Sequence, residues 1–253
     1  ACTIWQSELQ RIRALFKSRD MDLVLDNGTV VGFLCSLQYN PQYGLSLRVV
    51  DADPAFALGE MELKKREIIE RLCKEGLFER NKERAVPLLP LRIGLITSAG
   101  SAAYNDFIQT LSVSRFGFKI WVADAMVQGE QTERSVLRAL ERLNRLEVEL
   151  IVIARGGGSK TDLSFLDNEA IARKIAVSTI PIWTGIGHEI DTSVLDYVAN
   201  CAFKTPTAVA EELVARFVQM RRQLDESAGT LRTVWAYRLK NEQDYRDRAV
   251  TGI

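Results

Sequence analysis

From Leu91 onward the chain alternates short, almost wholly apolar runs with segments of helical period, and this rhythm limits the possible folds more than any other feature. Ile93–Thr97 is followed by Ala102–Arg115, Lys119–Asp124 by Glu133–Leu146, Glu149–Ala154 by Leu166–Ser178, and Ile180–Thr184 by Thr192–Ala199. Apolar runs without polar alternation are the signature of strands covered on both faces. Strand and helix repeating in this way predict an α/β fold with a doubly wound, mostly parallel sheet and right-handed crossovers. Such sheets bind ligands beyond the carboxyl ends of their strands. Here those ends are Thr97-Ser98-Ala99-Gly100, Arg155-Gly156-Gly157-Gly158-Ser159 and Gly185-Ile186-Gly187-His188, so the unusual turns all fall on one rim.

The flanking regions follow other patterns. Met21–Leu25, Thr29–Leu37 and Leu45–Val50 read as strands of a small antiparallel meander, broken at Asp26-Asn27-Gly28 and at Asn40 to Gly44. A meander this small is not stable alone, so it is expected to dock on the rest of the chain or to have lost preceding residues. Glu60–Phe78 reads as a charged helix ending near Gly76, and Pro87 and Pro90 mark a linker. Beyond Thr205-Pro206-Thr207, apolar residues recur at Val209, Leu213, Phe217, Met220, Leu224, Ala228, Leu231, Trp235 and Leu239. That stripe predicts a long helix or coiled-coil arm continuing past the chain end, although Gly229 weakens its middle. The expected organisation is a partial N-terminal β segment at 1–58, a connecting helix and linker at 59–90, an α/β domain at 91–205, and the start of a helical arm at 206–253.

The rim carries the chemistry. His188 is the only histidine of the chain. Its imidazole, set in a glycine-flanked turn, suits proton transfer or nucleophilic attack near neutral pH. The glycine run Gly156 to Gly158 with Ser159 lets backbone N–H groups approach an anion, and the following helix dipole favours negative charge there. Arg155 before it offers a planar fork matched to phosphate oxygens. This run is neither a Walker loop nor a dinucleotide fingerprint, lacking the spacing of both. Asp191 either orients the imidazole or caps the next helix. Asp106 is either a rim acid or an ordinary surface carboxylate.

Zero net charge gives no support to a nucleic-acid partner at the level of the whole molecule, although local grooves can still be positive. The charge-rich stretches Glu62–Arg84 and Glu211–Arg248 mix both signs at helical spacing and read as solvated faces. The four cysteines, Cys2, Cys35, Cys73 and Cys201, are spaced too widely for a zinc site or a disulfide framework and are expected as reduced thiols. With no membrane-length apolar run and no signal-peptide pattern, the expected setting is the cytoplasm, with no membrane partner.

An ordered series of short motifs adds a family resemblance. Ile93-Gly-Leu-Ile-Thr-Ser98, Ala102 to Asp106, Val127-Gln128-Gly129, Ile153 to Ser159, Asp162-Leu163, Phe165, Asn168-Glu169, Gly187-His188-Glu189-Ile190-Asp191 and Thr205 to Glu211 resemble, in order, the large subunit of exodeoxyribonuclease VII. The resemblance spans roughly Leu91 to Leu213. It implies a nuclease that degrades single-stranded DNA from either end into oligonucleotides, usually with no divalent metal required, Mg²⁺ being an option in some relatives. It also implies a complex with several copies of a small helical subunit, held through the C-terminal arm. Carried over by motif, the catalytic residues are Asp106, Arg155, His188 and Asp191. Ser98, Gly156, Gly157, Gly158, Ser159 and Gly187 would bind the substrate, and no metal ligands are assigned. Ile190 stands where the family motif commonly has threonine, which removes a hydroxyl but keeps the histidine and aspartate. The family's N-terminal OB-fold would correspond in part to Met21–Val50, and across the partial OB region at 1–58 Trp5, Phe33, Tyr39 and Tyr43 offer either stacking surfaces or ordinary packing.

Sequence alone leaves two matters open. His188 could take a proton from water or attack phosphorus itself. A small-molecule phosphate or nucleotide-binding enzyme would also explain the glycine turns, and a non-catalytic scaffold would use the arm alone.

Overall fold

The computed structural model describes residues 2–18, 30–42, 44–157, 163–186 and 192–252, the last of these over 247–251 by its backbone alone. Its centre is a five-stranded parallel sheet of β4 (Arg92–Thr97), β5 (Lys119–Asp124), β6 (Leu150–Ala154), β7 (Ile182–Gly185) and β8 (Cys201–Phe203), in the order β5-β4-β6-β7-β8. The chain therefore winds outward from β4 to β5, then returns past β4 to β6. That reversal, between β4 and β6, is the topological switch point at which open α/β sheets bind ligands.

Both faces are covered, as the continuous apolar strands require. Residues alternate across the sheet with period two. Ile93, Leu95, Leu150, Val152 and Trp183 face Phe107 and Leu111 of α3 (Ala102–Ser114) and Val209, Ala210 and Leu213 of α7 (Pro206–Thr251). Ile96, Ile151, Ile153 and Ile182 face the other side, in one core with α4 (Thr132–Leu143), α5 (Glu169–Ala176) and α6 (Val194–Val198). Gly94 belongs to this second face, where an added Cβ would lie 2.8 Å from Leu143 Cδ1.

The N-terminal part forms a separate mixed sheet, in the order β1-β3-β2, from β1 (Cys2–Thr3), β2 (Gly32–Asn40) and β3 (Gly44–Asp53). β2 and β3 form the expected antiparallel hairpin, but β1 joins it in parallel, and the expected strand Met21–Leu25 lies outside the described residues. Helix α1 (Gln6–Lys17), which no strong sequence signal announced, packs Ile12 and Phe16 against Val49 and Ala52 of β3. Helix α2 spans Pro54–Lys74 and so begins six residues before the expected Glu60. Asp53 accepts a hydrogen bond from the Ala55 amide, and Pro54 takes the first helical position, where its missing N–H costs nothing.

The end of α2 and the segment after it are fastened to the α/β unit. Ile68 and Leu72 join its core. Asn81, fully buried, donates to the carbonyls of Ile175 (3.0 Å) and Ile180 (3.2 Å) and accepts from the Ile182 amide (2.9 Å). Asn200 completes the clamp. Its amide donates to the carbonyls of Asn81, Lys82 and Arg84, and its carbonyl accepts from the Trp183 indole N–H at 3.2 Å.

Helix α7 starts at the Thr205 cap, whose hydroxyl accepts from the Ala208 amide at 3.0 Å, and continues for 46 residues, about 70 Å at the usual rise. Its first turns pack on the sheet, and Phe217 closes that contact against Phe116 and Phe118. Beyond it the stripe of Leu224, Leu231, Trp235 and Leu239 is exposed. Gly229 sits inside this helix without breaking it, and no described helix is long and apolar enough to cross a membrane.

Candidate active site at the sheet switch point

The register aligns the strand ends. Thr97 pairs with Asp124, Ile96 with Ile153, and Ala154 with Gly185, so the turns after β4, β6 and β7 leave the sheet at one level.

The turn after β4 is tied down by short bonds. Ser98 Oγ donates to the Ala125 carbonyl at 3.0 Å, and the Ala99 amide donates to Asp124 Oδ1 at 2.8 Å. Gly100 takes φ +74°, a left-handed conformation that favours glycine, and Ser101 then caps α3 by accepting from the Tyr104 amide at 3.2 Å. The Ser98 hydroxyl thus spends its proton on the scaffold and keeps only lone pairs for any other partner. Asp106 follows one turn inside α3, with an exposed side chain.

The turn after β6 holds the charge. Arg155 is almost completely buried, 1 % exposed, and its backbone amide donates to the Gly185 carbonyl at 3.1 Å. A guanidinium cannot shed its charge by deprotonation, so burial demands polar or anionic company. Gly156 lies against the start of α3, where an added Cβ would stand 3.6 Å from the Ala103 amide nitrogen. Two features that favour an anion, a glycine turn bearing a buried arginine and a helix N-terminus, thereby meet across the switch point. Gln128, from the loop after β5, donates to the Gly157 carbonyl at 3.5 Å and joins that loop to the same crevice. Gly158 and Ser159 lie outside the described residues, as do Gly187, His188 and Asp191.

The turn after β7 is described up to Ile186, which is buried. Gly185 is demanded by packing: a Cβ there would come within 2.8 Å of Val209 Cγ2 and 3.0 Å of the Thr205 carbonyl oxygen. Ser193 caps α6 through a reciprocal box with Asp196. The helix therefore takes its cap from Ser193 rather than from Asp191. Asp196 Oδ2 accepts from the Ser193 amide (2.9 Å) and hydroxyl (2.8 Å). A second aspartate, Asp167, accepts from the Val194 amide at 2.7 Å. Burial pushes the Asp167 carboxyl up to about 6 against the opposing pull of that hydrogen bond and of Lys65.

Sequence reasoning passed over these two aspartates. The Ser193-x-x-Asp196 spacing is a legible capping box, whereas Asp167 reads as one more loop acid before a helix. Among the described residues no three His, Cys, Asp or Glu side chains are grouped so as to hold a metal ion.

Fold and crevice together define a doubly wound α/β protein with an anion-suited site at its switch point. Comparison narrows this class, for residues 77–252 match the family described as Exonuclease VII, large subunit. The chain belongs to that family. A relative from Moorella thermoacetica, named Exodeoxyribonuclease 7 large subunit, is 38% identical over 227 residues, 88% of this chain and 56% of its own length. One of the same name from Pseudothermotoga lettingae is 41% identical over 163 residues, 64% of this chain and 42% of its own. A third, from Nostoc sp., is 33% identical over 224 residues, 88% and 52% respectively. The chain spans about half the length of the curated relatives it matches.

Proposed function

We propose that this chain supplies the catalytic part of a nuclease that hydrolyses phosphodiester bonds of single-stranded DNA from its ends and releases oligonucleotides. The observation that carries this reading is the meeting of buried Arg155, the glycine turn and the α3 N-terminus at the switch point. The relatives' name directs that phosphate chemistry to a DNA backbone.

In the proposed reaction a water oxygen attacks phosphorus, the bond from phosphorus to the leaving sugar oxygen breaks, and one proton passes from the water to that oxygen. Charge builds on the phosphoryl oxygens, so positioned cations and amides supply most of the catalysis. Arg155 and the amides of Gly156 to Ser159 take that role, with Ser98 and Gly187 bordering the substrate. His188 either accepts the water proton or attacks phosphorus before water completes the cycle, and Asp191 fixes its tautomer. Asp106 orients the water or carries the second proton. No divalent cation is required in this scheme.

The chain divides, in this proposal, into a partial OB-like strand-binding segment at 1–58, a connector at 59–90, the catalytic unit at 91–205 and an arm from 206. The exposed stripe of Leu224, Leu231, Trp235 and Leu239 is the seam for several copies of a small helical subunit, and the setting is the cytoplasm.

The test is degradation of an end-labelled single strand and of its duplex by the full-length protein with the small subunit, in EDTA. Shortening of the single strand but not of the duplex is expected. Intact DNA together with tight mononucleotide binding would establish a nucleotide-binding protein instead, and activity only with added Mg²⁺ would remove the metal-free scheme.

A further inference from the structure

Helix α4 carries Arg134, Arg138 and Arg142 at four-residue spacing, on one face. That face lines a cavity of about 570 Å³ at the carboxyl end of edge strand β5, walled on the far side by Ser98 and Asp124 and edged by Met126. The arrangement is costly in isolation. Like charges at i, i+4 repel, and Arg134 stands in the first turn, where the helix dipole opposes a cation.

The acids of α4 do not relieve it. Glu133 accepts from Asn168 at 2.7 Å, and Glu141 pairs with Lys174 at 3.2 Å, both toward α5. Among the described residues none forms an ion pair with the three guanidiniums, and Asp124 is engaged with the Ala99 amide at 2.8 Å. A chain of zero net charge has thus sorted its charges locally into a positive groove.

The groove is continuous with the crevice. Ser98 and Ala99 belong both to its wall and to the turn after β4, and the β5–α4 loop reaches the glycine turn through Gln128. From Arg134 to Arg142 the helix advances about 12 Å, a length over which one strand at duplex spacing carries about three phosphates.

We propose that Arg134, Arg138 and Arg142 form a track for the DNA backbone, holding phosphates of the single strand outside the scissile bond as it passes over the end of β5. The track rests on the nuclease reading above. It is sequence-independent, because guanidinium-to-phosphate contacts read no bases.

The test is fluorescence anisotropy of a labelled oligothymidylate with the full-length protein in a His188→Ala background, titrated at several salt concentrations. Replacing all three arginines by Gln should weaken binding at least tenfold at low salt. It should also flatten the plot of log affinity against log salt by about 2, from a slope of about 0.7 per single-strand phosphate contact. Replacing them by Lys should keep the slope. Removing three exposed cations of α2 (Lys64→Gln, Arg66→Gln, Lys74→Gln) should leave the slope unchanged. Equal affinity and slope in the arginine-to-Gln variant, or an equal loss in the α2 variant, would overturn the track while leaving the nuclease reading intact. A parent that fails to bind the oligonucleotide at all would overturn both.

Discussion

Asp167→Asn should stabilise the protein at pH 8, which is unusual for the loss of a charge that accepts a hydrogen bond. Asp167 is half-buried, accepts from the Val194 amide, and feels the carboxylates of Glu62 and Asp196 and the ammonium of Lys65. Burial dominates and lifts its carboxyl from the ordinary 3.8 to about 6. The folded protein therefore holds this proton more tightly than the unfolded chain does. The stabilisation that results is complete below about pH 4 and is lost as pH rises through about 6. At about 1.4 kcal/mol per pH unit the displacement is worth at most about 3 kcal/mol, and about 2 kcal/mol once water reaching the half-buried carboxyl is allowed for. Asparagine keeps a carbonyl acceptor for Val194 without the charge. Urea unfolding of parent and variant at pH 4 and pH 8 checks this, because carboxylates titrating elsewhere cancel in the difference. The variant should be about 2 kcal/mol more stable at pH 8 and nearly equal at pH 4. A variant that is less stable at pH 8 would show that the ionised carboxylate is needed to hold α6, and the reasoning would fail.

Two further perturbations probe how the site is held. Asn81→Ala removes three hydrogen bonds, two of them buried and one part-buried, at about 1 kcal/mol each, and should cost about 3 kcal/mol in urea unfolding; a loss below about 1 kcal/mol would show that the clamp is not needed. Gly185→Ala drives a methyl into Val209 and the backbone of Thr205 and Pro206, so it should cost about 1–3 kcal/mol and lower the melting temperature, whereas an unchanged melt would mean that α7 moves aside without cost.

The inner strands β4, β6 and β7 were legible because strands covered on both faces must be apolar, and edge strand β5 by its apolar centre Ile120 to Ala123. β5 falls on the expected residues, and β4, β6 and β7 fall within two residues of them. The rim follows from strand direction alone, which puts Ser98, Arg155 and the approach to His188 at the same level. Other elements were not legible, for physical reasons. β8 is three residues long and partly exposed, too short to show a period. The start of α2 was set by a single side chain, Asp53, rather than by the apolar pattern. Gly185 reads like its neighbours in a glycine-flanked turn, yet its reason is the close approach of α7, a contact between distant residues. The arginines of α4 were visible as letters, but net charge cannot tell which of a helix's charges are already paired across a neighbouring helix. The segments holding His188 and Asp191 lie outside the described residues, so their place on the rim rests on sequence.

The most direct test of a catalytic switch-point crevice is the turnover of end-labelled single-stranded DNA by the full-length protein in EDTA, beside His188→Ala and Arg155→Lys, with folding of each verified by circular dichroism and melting. Losing the imidazole proposed to carry a proton or attack phosphorus should lower turnover by at least about 10²–10⁴-fold, and replacing the guanidinium fork by a point charge should also lower it, in folded proteins that still bind the strand. Turnover within a few-fold of the parent in both variants would place the chemistry elsewhere on the molecule.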